Sequence, residues 1–394
     1  MRTFERRVRW TADPLETAAA LARASVEPHV VYENRGVVWF AEGEIETVCG
    51  GIEELAAFHG RTAYGWVTFE RTGHLAVPRD EIRFGDGSAV LRSVDEESLL
   101  LLEKRLAAIS PLTVGEERVQ APIETCGADD YRTAVAAAVA DIRAGLLEKV
   151  ILSRVVPLPA DLDFPATYLV GRRGNDPARS FLLRLGGWEA LGFSPEVVTS
   201  VDGLGEVVTQ PLAGTRALLN DAVFDVARRE ELYRDAKEVF EHAISVRLAA
   251  AELTGVCGHG SVKVADFMSV KERGSVQHLA SEVTGVLAPD RSPWDALAAL
   301  FPAVTASGIP KAQACSFIGR VEPERGLYSG AVVRIDADGS LDAALVLRSV
   351  FRREGVTWLR AGAGIVAQST PERELEETVE KLRSVSRFLV PSCA

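Results

Sequence analysis

The stretch 371-PERELEETVEKL-382 predicts an amphipathic helix close to the end of the chain. Ser369 or Thr370 is placed to cap this helix, Pro371 suits its first turn, and its acidic residues lie near the positive end of the helix dipole. The apolar positions recur with the spacing of a buried helix face, and they are Leu375, Val379 and Leu382. The other faces are strongly charged, so any chemistry of this helix depends on its carboxylates.

Two pairs of glutamates share one spacing. Glu374 and Glu377 lie three residues apart on one face of the helix, with Lys381 one turn further on. A second predicted helix repeats this spacing with Glu238 and Glu241. Two helices that each present such a pair can hold a hard divalent cation such as Mg²⁺, which prefers carboxylate oxygens. A single Glu-x-x-Glu pair is more often a solvated acidic face, so the interpretation depends on the rest of the chain.

The composition is that of a globular protein. The 394 residues are 47% hydrophobic and 25% charged, with a net charge of −12. This acidic balance, and the lack of basic runs with interleaved aromatic residues, argue against a nucleic-acid partner. No run of about 18 apolar residues predicts a membrane span, and no apolar segment typical of a signal peptide follows the first residues. A cytoplasmic protein is therefore expected.

The cysteines support the same expectation. They are scattered and form no C-x-x-C motif, which predicts reduced thiols and no zinc site. The five are Cys49, Cys126, Cys257, Cys315 and Cys393.

A polar, turn-rich passage at residues 120–130 divides the chain into two parts. Residues 1–118 contain predicted strands at Val30–Phe40 and Ala63–Phe69 but little catalytic content. Residues 119–394 hold nearly all of the motifs described below, and we expect them to form the catalytic core.

Two further helices are predicted in the second part. Asp129 or Asp130 is placed to cap an alanine-rich helix that continues through Leu147. A long helix from about 223 to 253 carries the second glutamate pair, and Gly255 is its expected stop.

Lysine and glutamate stand at the ends of two predicted strands. Lys149 opens the buried-strand pattern EKVILSRVV at 148–156. An exposed strand end is the more common role of such a lysine, whereas burial would lower its pKa and make it a base near neutral pH. The turn in GFSPE at 192–196 presents Glu196 at a strand end, which suits an acid.

Three other segments offer ligands for an anion. TQPLAGTRA at 209–217 reads as a strand that ends in a glycine turn, where backbone N–H groups can meet a carboxylate. His278 lies in an apolar strand, where a satisfied core histidine is the more common role. Arg348 stands among apolar residues of the predicted strand Leu341–Phe351, and a buried arginine is costly unless it meets an anion.

Taken in order, these motifs resemble those of the chorismate-utilising enzymes. That family includes anthranilate synthase large subunits, aminodeoxychorismate synthases, isochorismate synthases and salicylate synthases. The resemblance covers about residues 120–390 and rests on EKVILSR, GFSPE, TQPLAGTRA, KEVFEHAISVR, SVQHLAS, FPAVTASGIPKA, RGLYSGAVV, LVLRSVF, LRAGAGI and PERELEETVEKL. It implies an α+β fold, with one large domain built on an antiparallel β-sheet sandwich and helices packed outside.

The resemblance also implies a Mg²⁺ site and chorismate as the substrate. Glu241 and Glu377 would bind the ion directly, and Glu238 and Glu374 would support it through water. The ion would hold the ring carboxylate of chorismate, with Lys381 close to that carboxylate.

The other implied contacts hold the remainder of the substrate. Arg348 and Tyr328 would bind the enolpyruvyl carboxylate, helped by backbone N–H groups near Gly362 and Gly364. The side chain of His278 would border the ring from one strand. A second strand would place two more residues there, Gly214 and Thr215.

Three positions favour one branch of the family. Lys149 stands where the ammonia-using branches have glutamine, which fits activation of water at ring carbon 2, with Glu196 protonating the departing 4-hydroxyl. Ala213 stands where aminodeoxychorismate synthases have a nucleophilic lysine. Thr305 matches salicylate synthases, whereas isochorismate synthases that stop at isochorismate tend to have a small apolar residue there. The alternative role of Thr305 is to cap a helix that begins near Ile309.

The sequence therefore predicts a Mg²⁺-dependent salicylate synthase that converts chorismate through isochorismate to salicylate and pyruvate. The alternatives are an isochorismate synthase that releases its product and, with less support, an anthranilate-type synthase or a non-catalytic member. No glutaminase subunit is expected, a monomer is the working assumption, and siderophore assembly is a suitable use of the product. Gln210 departs from this branch, because close salicylate synthases often have glutamate there.

Overall fold

The computed structural model describes residues 3–159, 161–218, 221–273 and 276–392. Ser275, in the motif SVQHLAS, and Cys393 lie outside the described residues. So do the first two residues of the chain, on which part of the signal-peptide expectation rested.

Strands account for most of the described fold. In chain order they are β1 Phe4–Arg9, β2 His29–Asn34, β3 Val37–Gly51, β4 Ala63–Val67, β5 Thr72–Gly85, β6 Ser88–Ser93, β7 Lys149–Pro157, β8 Arg179–Leu185, β9 Trp188–Ser194, β10 Val197–Val201, β11 Glu206–Thr209, β12 Leu212–Ala217, β13 Lys263–Arg273, β14 Val276–Val286, β15 Gly308–Ile309, β16 Ala331–Ile335, β17 Leu341–Leu345, β18 Ser349–Arg353 and β19 Val356–Ile365.

The helices are interspersed among these strands. In chain order they are α1 Pro14–Ala24, α2 Ile52–Ala56, α3 Glu96–Ala108, α4 Ala128–Arg143, α5 Phe164–Arg173, α6 Ala222–Arg234, α7 Ala236–Thr254, α8 Pro293–Leu300, α9 Lys311–Val321 and α10 Pro371–Ser386. Within the described ranges, no helix combines the length and the apolarity needed to cross a bilayer.

The strands form two antiparallel layers that meet at the long β3–β5 ladder. One layer runs β6-β5-β3-β2-β8-β9-β18-β19-β7-β15, with β1 on its edge. The other runs β3-β5-β4-β16-β17-β10-β11-β14-β13, and β12 pairs with β14 beside β11. Because β3 and β5 bend through both layers, the N-terminal strands belong to the same sheet system as the catalytic motifs.

Aromatic side chains fill the space between the layers. This inner core draws on strands of both layers and includes Tyr32, Trp39, Tyr64, Trp66, Phe181 and Phe351. Helices α1, α3, α5 and α10 cover the outer face of the first layer, and α2, α7 and α8 cover that of the second. Each of these seven helices buries an apolar face against its layer, and this burial is a main source of stability. The predicted α+β sandwich with outer helices is confirmed.

The predicted helix boundaries need two corrections. Asp129 and Asp130 lie inside the first turn of α4 and do not cap it, because Gly127 occupies the N-cap, and the helix ends at Arg143 rather than Leu147. The predicted helix over 223–253 is two helices, α6 and α7.

Asp235 causes the break between α6 and α7. Its backbone is extended, with φ −76° and ψ 106°, and its carboxylate accepts hydrogen bonds from the backbone N–H groups of Lys237 and Glu238. An aspartate in this position caps a new helix and prevents the old one from continuing. The new helix starts in the orientation that buries Glu238 and Glu241.

Two predicted strand features are also wrong. The strand predicted over 341–351 breaks after Leu345, and Arg348 lies in the break with φ +52°, a left-handed conformation that is rare for arginine. Gly214 does not form a turn at a strand end. It lies within β12 with φ +79°, at an irregularity in the pairing of β12 with β14.

Candidate active site

A cavity of about 800 Å³, its mouth included, lies among β7, β12, β14, β19, α7 and α10. Most of the predicted site residues line it: Glu196, Gly214, Thr215, Glu241, His278, Thr305, Tyr328, Arg348, Gly362, Gly364, Glu377 and Lys381. The other three, Lys149, Glu238 and Glu374, lie behind this wall and are buried. The fold thus brings together side chains that are more than 230 positions apart in sequence.

Glu196 lies in the link between β9 and β10 and is a protonated acid at neutral pH. One carboxyl oxygen accepts a hydrogen bond from Thr305 Oγ1, and the other accepts one from Leu212 N at 3.4 Å. Burial raises the pKa of Glu196 to about 8, although these two hydrogen bonds and the charges of Lys149 and Lys381 act against the rise. A carboxyl group in this state can protonate a leaving hydroxyl.

Thr305 does not cap a helix. Helix α9 begins at Lys311, after Pro310 in the N-cap position. The hydroxyl of Thr305 points instead at Glu196, and the residue lines the cavity. The alternative interpretation of this threonine as a helix cap is therefore wrong.

Lys149 is the first residue of β7 and is fully buried. Its Nζ donates a hydrogen bond to Ser245 Oγ at 2.9 Å and lies 3.0 Å from Glu241 Oε1. The interpretation of Lys149 as an exposed strand end, the more common role of such a lysine, is therefore wrong. Glu241 lines the cavity and Lys149 does not, so the carboxylate of Glu241 lies between the lysine ammonium group and the cavity.

Arg348 presents a buried positive charge to the cavity. Its Nη2 donates to His278 Nε2, and its Nη1 donates to the carbonyl of Arg273 at 3.0 Å. Within the described ranges, no carboxylate lies within ion-pair distance of its guanidinium. Burial, with a contribution from Arg273, lowers its pKa to about 9, so it remains charged at neutral pH. A buried guanidinium without a carboxylate can bind an anionic ligand.

His278 holds Arg348 in place as a neutral ring. Its Nδ1–H donates to the carbonyl of Gly214 at 3.0 Å, and Thr215 Oγ1 lies 3.1 Å from the same nitrogen. Nε2 is therefore free to accept from the arginine. Burial, together with the charges of Arg348 and Lys381, lowers the pKa of His278 well below its usual value.

The four glutamates lie on facing helices, two on α7 and two on α10. Oε2 of Glu238 and Oε2 of Glu374 are buried without a hydrogen-bond partner, whereas Lys237 Nζ lies 3.0 Å from Glu374 Oε1. Burial and the charge of Glu377 raise the pKa of Glu374 to about 7 and raise that of Glu238. The nearby cations Lys237 and Arg216 therefore do not fully offset the burial of these two carboxylates.

Glu377 differs from its neighbours because two lysines compensate it. Burial alone would raise its pKa, but Lys381, at 2.8 Å, and Lys237 outweigh burial and lower it to about 2. Lys381 also donates to the carbonyl of Gly362 at 2.9 Å, which ties α10 to β19.

The donor chemistry of this cluster fits a hard cation. The oxygens without partners belong to carboxylates, and a Cβ at Gly364 would come within 2.0 Å of Glu241 Oε1, so the glycine leaves space for that carboxylate. In the part of the chain that is described, no three acidic, histidine or cysteine side chains converge tightly enough to hold a metal ion. Lysine ammonium groups stand between the carboxylates, and cation binding requires the carboxylates to turn away from them.

Sequence reasoning did not identify several side chains that shape the site. Lys237 and Arg216 lie against the glutamates, Ser245 accepts from the buried lysine, and Arg360 lines the cavity. Only Lys237 had a local signal, because a cation directly precedes Glu238 in KEVFEH. The other three acquire their roles from distant elements.

Gln210 lies outside the cavity. Its Nε2 donates to Glu282 Oε2 at 2.8 Å in a neighbouring groove, which shares Leu212 with the cavity. A glutamate at this position would face Glu282 and repel it, so the amide suits its local surroundings in this chain.

The fold and the site define a class of protein, and comparison with known proteins identifies it. The model of the family described as chorismate binding enzyme matches residues 41–387. The chain belongs to this family.

Two curated relatives and one solved structure illustrate the similarity. The chain is 42% identical to salicylate synthase from Mycolicibacterium paratuberculosis (strain ATCC BAA-968 / K-10), over 96% of this chain and 94% of that protein. It is 38% identical to anthranilate synthase component 1 from Thermus thermophilus, over 74% of this chain and 63% of that protein. The menaquinone-specific isochorismate synthase MenF from Escherichia coli has the same fold, with a TM-score of 0.83 at 23% identity over 98% of this chain and 94% of that one.

Proposed function

We propose that this chain is a salicylate synthase, which isomerises chorismate to isochorismate and then eliminates pyruvate to give salicylate. The observation that carries the proposal is the hydrogen bond from Thr305 to the buried Glu196. This hydrogen bond connects Thr305, the residue that distinguishes the salicylate branch, with Glu196, the acid that the first step needs. The similarity to a salicylate synthase along nearly the whole chain supports the same reaction.

The first step exchanges the hydroxyl at ring carbon 4 for one at carbon 2. Glu196 protonates the departing 4-hydroxyl, because its carboxyl group is in the acid form at neutral pH. Lys149 is the proposed base that takes a proton from the attacking water, and this role requires its Nζ to be a neutral amine and Glu241, now 3.0 Å away, to turn from it. Arg348, held by His278, binds the enolpyruvyl carboxylate, with Tyr328 beside it.

The second step needs no further base. The enolpyruvyl arm takes the hydrogen from carbon 2 in a cyclic rearrangement, so the protein mainly has to hold the arm folded over the ring. Thr305 presses on this arm from the cavity wall.

Mg²⁺ is the proposed cofactor. Glu241 and Glu377 would hold it, and Glu238 and Glu374 would support it. When bound, the ion supplies positive charge to the ring carboxylate of the substrate. Two buried oxygens that accept no hydrogen bond, Glu238 Oε2 and Glu374 Oε2, support this assignment.

The proposed activity needs no protein partner. Water rather than ammonia is the nucleophile, so no glutaminase subunit is required, and a cytoplasmic monomer suffices. Salicylate would supply a pathway that consumes aryl acids, such as siderophore assembly.

An isochorismate synthase is the second candidate function. The first step alone uses Lys149 and Glu196, and the buried Glu196 beside Thr305 supports this function as well. The two functions differ only in whether the folded arm reacts before release.

Product analysis distinguishes these functions. The purified chain is incubated with chorismate and Mg²⁺, with and without ammonium, and the products are separated by liquid chromatography. Salicylate and pyruvate in equal amounts, unaffected by ammonium, are the expected result. Isochorismate alone would support the second candidate, and anthranilate formed with ammonium would contradict both.

A further inference from the structure

A buried ionic cluster borders the cavity, and the mechanism above does not use it. It consists of Glu322, Arg325 and Arg360, and we name it the Glu322 cluster. Arg325 Nε donates to the carboxylate at 2.9 Å and Arg360 Nη2 donates to it at 2.8 Å. All three side chains are at most 3% exposed. Ser153 Oγ completes the cluster with a hydrogen bond of 2.8 Å to Glu322.

Arg325 connects this cluster to the loop that carries Thr305. Its Nη1 donates to the carbonyl of Ala306 and its Nη2 to the carbonyl of Ile151, each at 2.7 Å. Both of these residues line the cavity, and Ala306 directly follows Thr305. One guanidinium therefore holds the threonine loop against β7, and Glu322 fixes the plane of that guanidinium.

The same cluster fixes the ring of Tyr328. The guanidinium carbons of Arg360 and Arg325 lie 5.3 Å and 5.8 Å from the ring centroid, within the range of cation–π attraction. Arg360 also lines the cavity. Two guanidinium groups on one carboxylate leave a net positive charge behind the tyrosine, on the side of the cavity where an anion is expected.

We propose that the Glu322 cluster positions Thr305 and Tyr328 against the enolpyruvyl arm and so determines how much isochorismate proceeds to salicylate. The inference rests on the proposed salicylate synthase reaction. The cluster touches the substrate only through Arg360, and Glu322 and Arg325 act through other residues. Since the second step depends on a folded arm, a loosened threonine loop slows this step more than it slows the isomerisation.

Two variants of different severity test this inference. Arg325→Lys keeps the positive charge but loses the fork that reaches two carbonyls and a carboxylate together. Ser153→Ala removes two hydrogen bonds of the cluster, the one that Ser153 Oγ donates to Glu322 and the one that it accepts from Arg360 Nε, and keeps all three charged side chains. The measured quantities are the rate of chorismate consumption, the isochorismate-to-salicylate ratio, and the conversion of isochorismate supplied directly. We expect the ratio to rise about tenfold in Arg325→Lys and about threefold in Ser153→Ala.

The matched control is Arg172→Lys. Arg172 makes two hydrogen bonds to Glu33, of 2.6 and 2.7 Å, away from the cavity. This change also loses a fork and lowers stability, but it should leave the product ratio unchanged. The ratio separates positioning from a merely structural role, because both products come from the same folded molecules.

The contradictory outcomes are distinct. A wild-type ratio in folded Arg325→Lys and Ser153→Ala would overturn the inference, and Ser153→Ala alone decides if the arginine variant does not fold. Wild-type protein that forms no salicylate would contradict the proposed function instead. In that event, an unchanged kcat for chorismate in the variants would overturn the positioning role as well.

Discussion

Glu196 keeps its proton at neutral pH because burial disfavours its ionised form. The proposed first step needs this acid form, which is populated below the pKa of about 8 and is lost as the pH rises through that value. We therefore expect kcat/KM for chorismate to fall above about pH 8, since this parameter reports the free enzyme. Measurement of kcat/KM from about pH 6 to about pH 10, a range that spans the pKa of Glu196, tests this expectation.

Substitution of Glu196 by glutamine removes the proton that the leaving hydroxyl takes. We expect Glu196→Gln to lower kcat by about 10²–10⁴-fold, the usual contribution of a general acid. Glu252→Gln is the control, because Glu252 is another largely buried glutamate with a raised pKa but lies outside the cavity. Activity of Glu196→Gln equal to that of the control would remove Glu196 from the first step.

Thr305 has a hydroxyl bonded to Glu196 and a methyl group, and two substitutions separate them. Thr305→Ser keeps the hydrogen bond, whereas Thr305→Ala loses it. We expect the alanine variant to consume chorismate about fivefold more slowly, as loss of about 1 kcal/mol implies, and to accumulate isochorismate. Time courses of both products measure the ratio. If alanine and wild type give the same ratio, Thr305 does not control the second step.

At the scale of elements, α7 and α10 bring four carboxylates together, and carboxylate oxygens are the ligands that a hard divalent cation prefers. Wild-type protein should gain thermal stability with added Mg²⁺, because a ligand that binds only the folded state stabilises it. Glu377→Gln should lose most of this gain and most of the activity. Melting curves with EDTA and with increasing Mg²⁺ measure the first effect without depending on turnover.

The control for this prediction lies on the same helix. Glu376 is 65% exposed and pairs with Arg373 on the outer face of α10. Glu376→Gln should keep both the Mg²⁺-dependent rise in melting temperature and the activity. A rise of equal size in Glu377→Gln would show that the cation binds elsewhere.

The elements predicted from sequence were right where a pattern was local. The period of apolar residues gave α10, and the buried apolar run gave β7. The predicted boundaries of helices and strands were wrong where a single residue determines where the element ends. Asp235 starts a new helix in a segment that reads as continuous, and the break at Arg348 has no turn signal in LVLRSVF. Both breaks place site residues, since one precedes Glu238 and the other contains the arginine.

At the scale of the whole molecule, the two sheet layers share one aromatic core. Phe351 is fully buried in it and stacks on Trp358 at 5.8 Å. We expect Phe351→Ala to lower the free energy of unfolding by about 3–5 kcal/mol, the usual cost of such a cavity. Denaturant unfolding followed by tryptophan fluorescence measures it. Leu204→Ala, at a residue that is 86% exposed, should change stability by less than about 0.5 kcal/mol.

A loss of similar size in Leu204→Ala and Phe351→Ala would contradict the shared core. The N-terminal strands gave little sign of this role in the sequence. Their pairing with β8 and β16 joins distant segments, and no local pattern reports such pairing.

The sequence by itself determined the residue types of the site and the elements that carry them. Spacing within one helix defined each glutamate pair, and the series of motifs defined the family. Only the tertiary structure decided what each group does, because ionisation and access depend on surroundings that the chain assembles from distant segments. Burial raises the pKa of Glu196, so that the carboxyl group keeps its proton at neutral pH. The carboxylate of Glu241 forms an ion pair with Lys149. Glu322 holds two arginines, and these arginines pack against the ring of Tyr328. Local sequence cannot encode these contacts, since each joins residues that only the folded sandwich brings within a few ångströms.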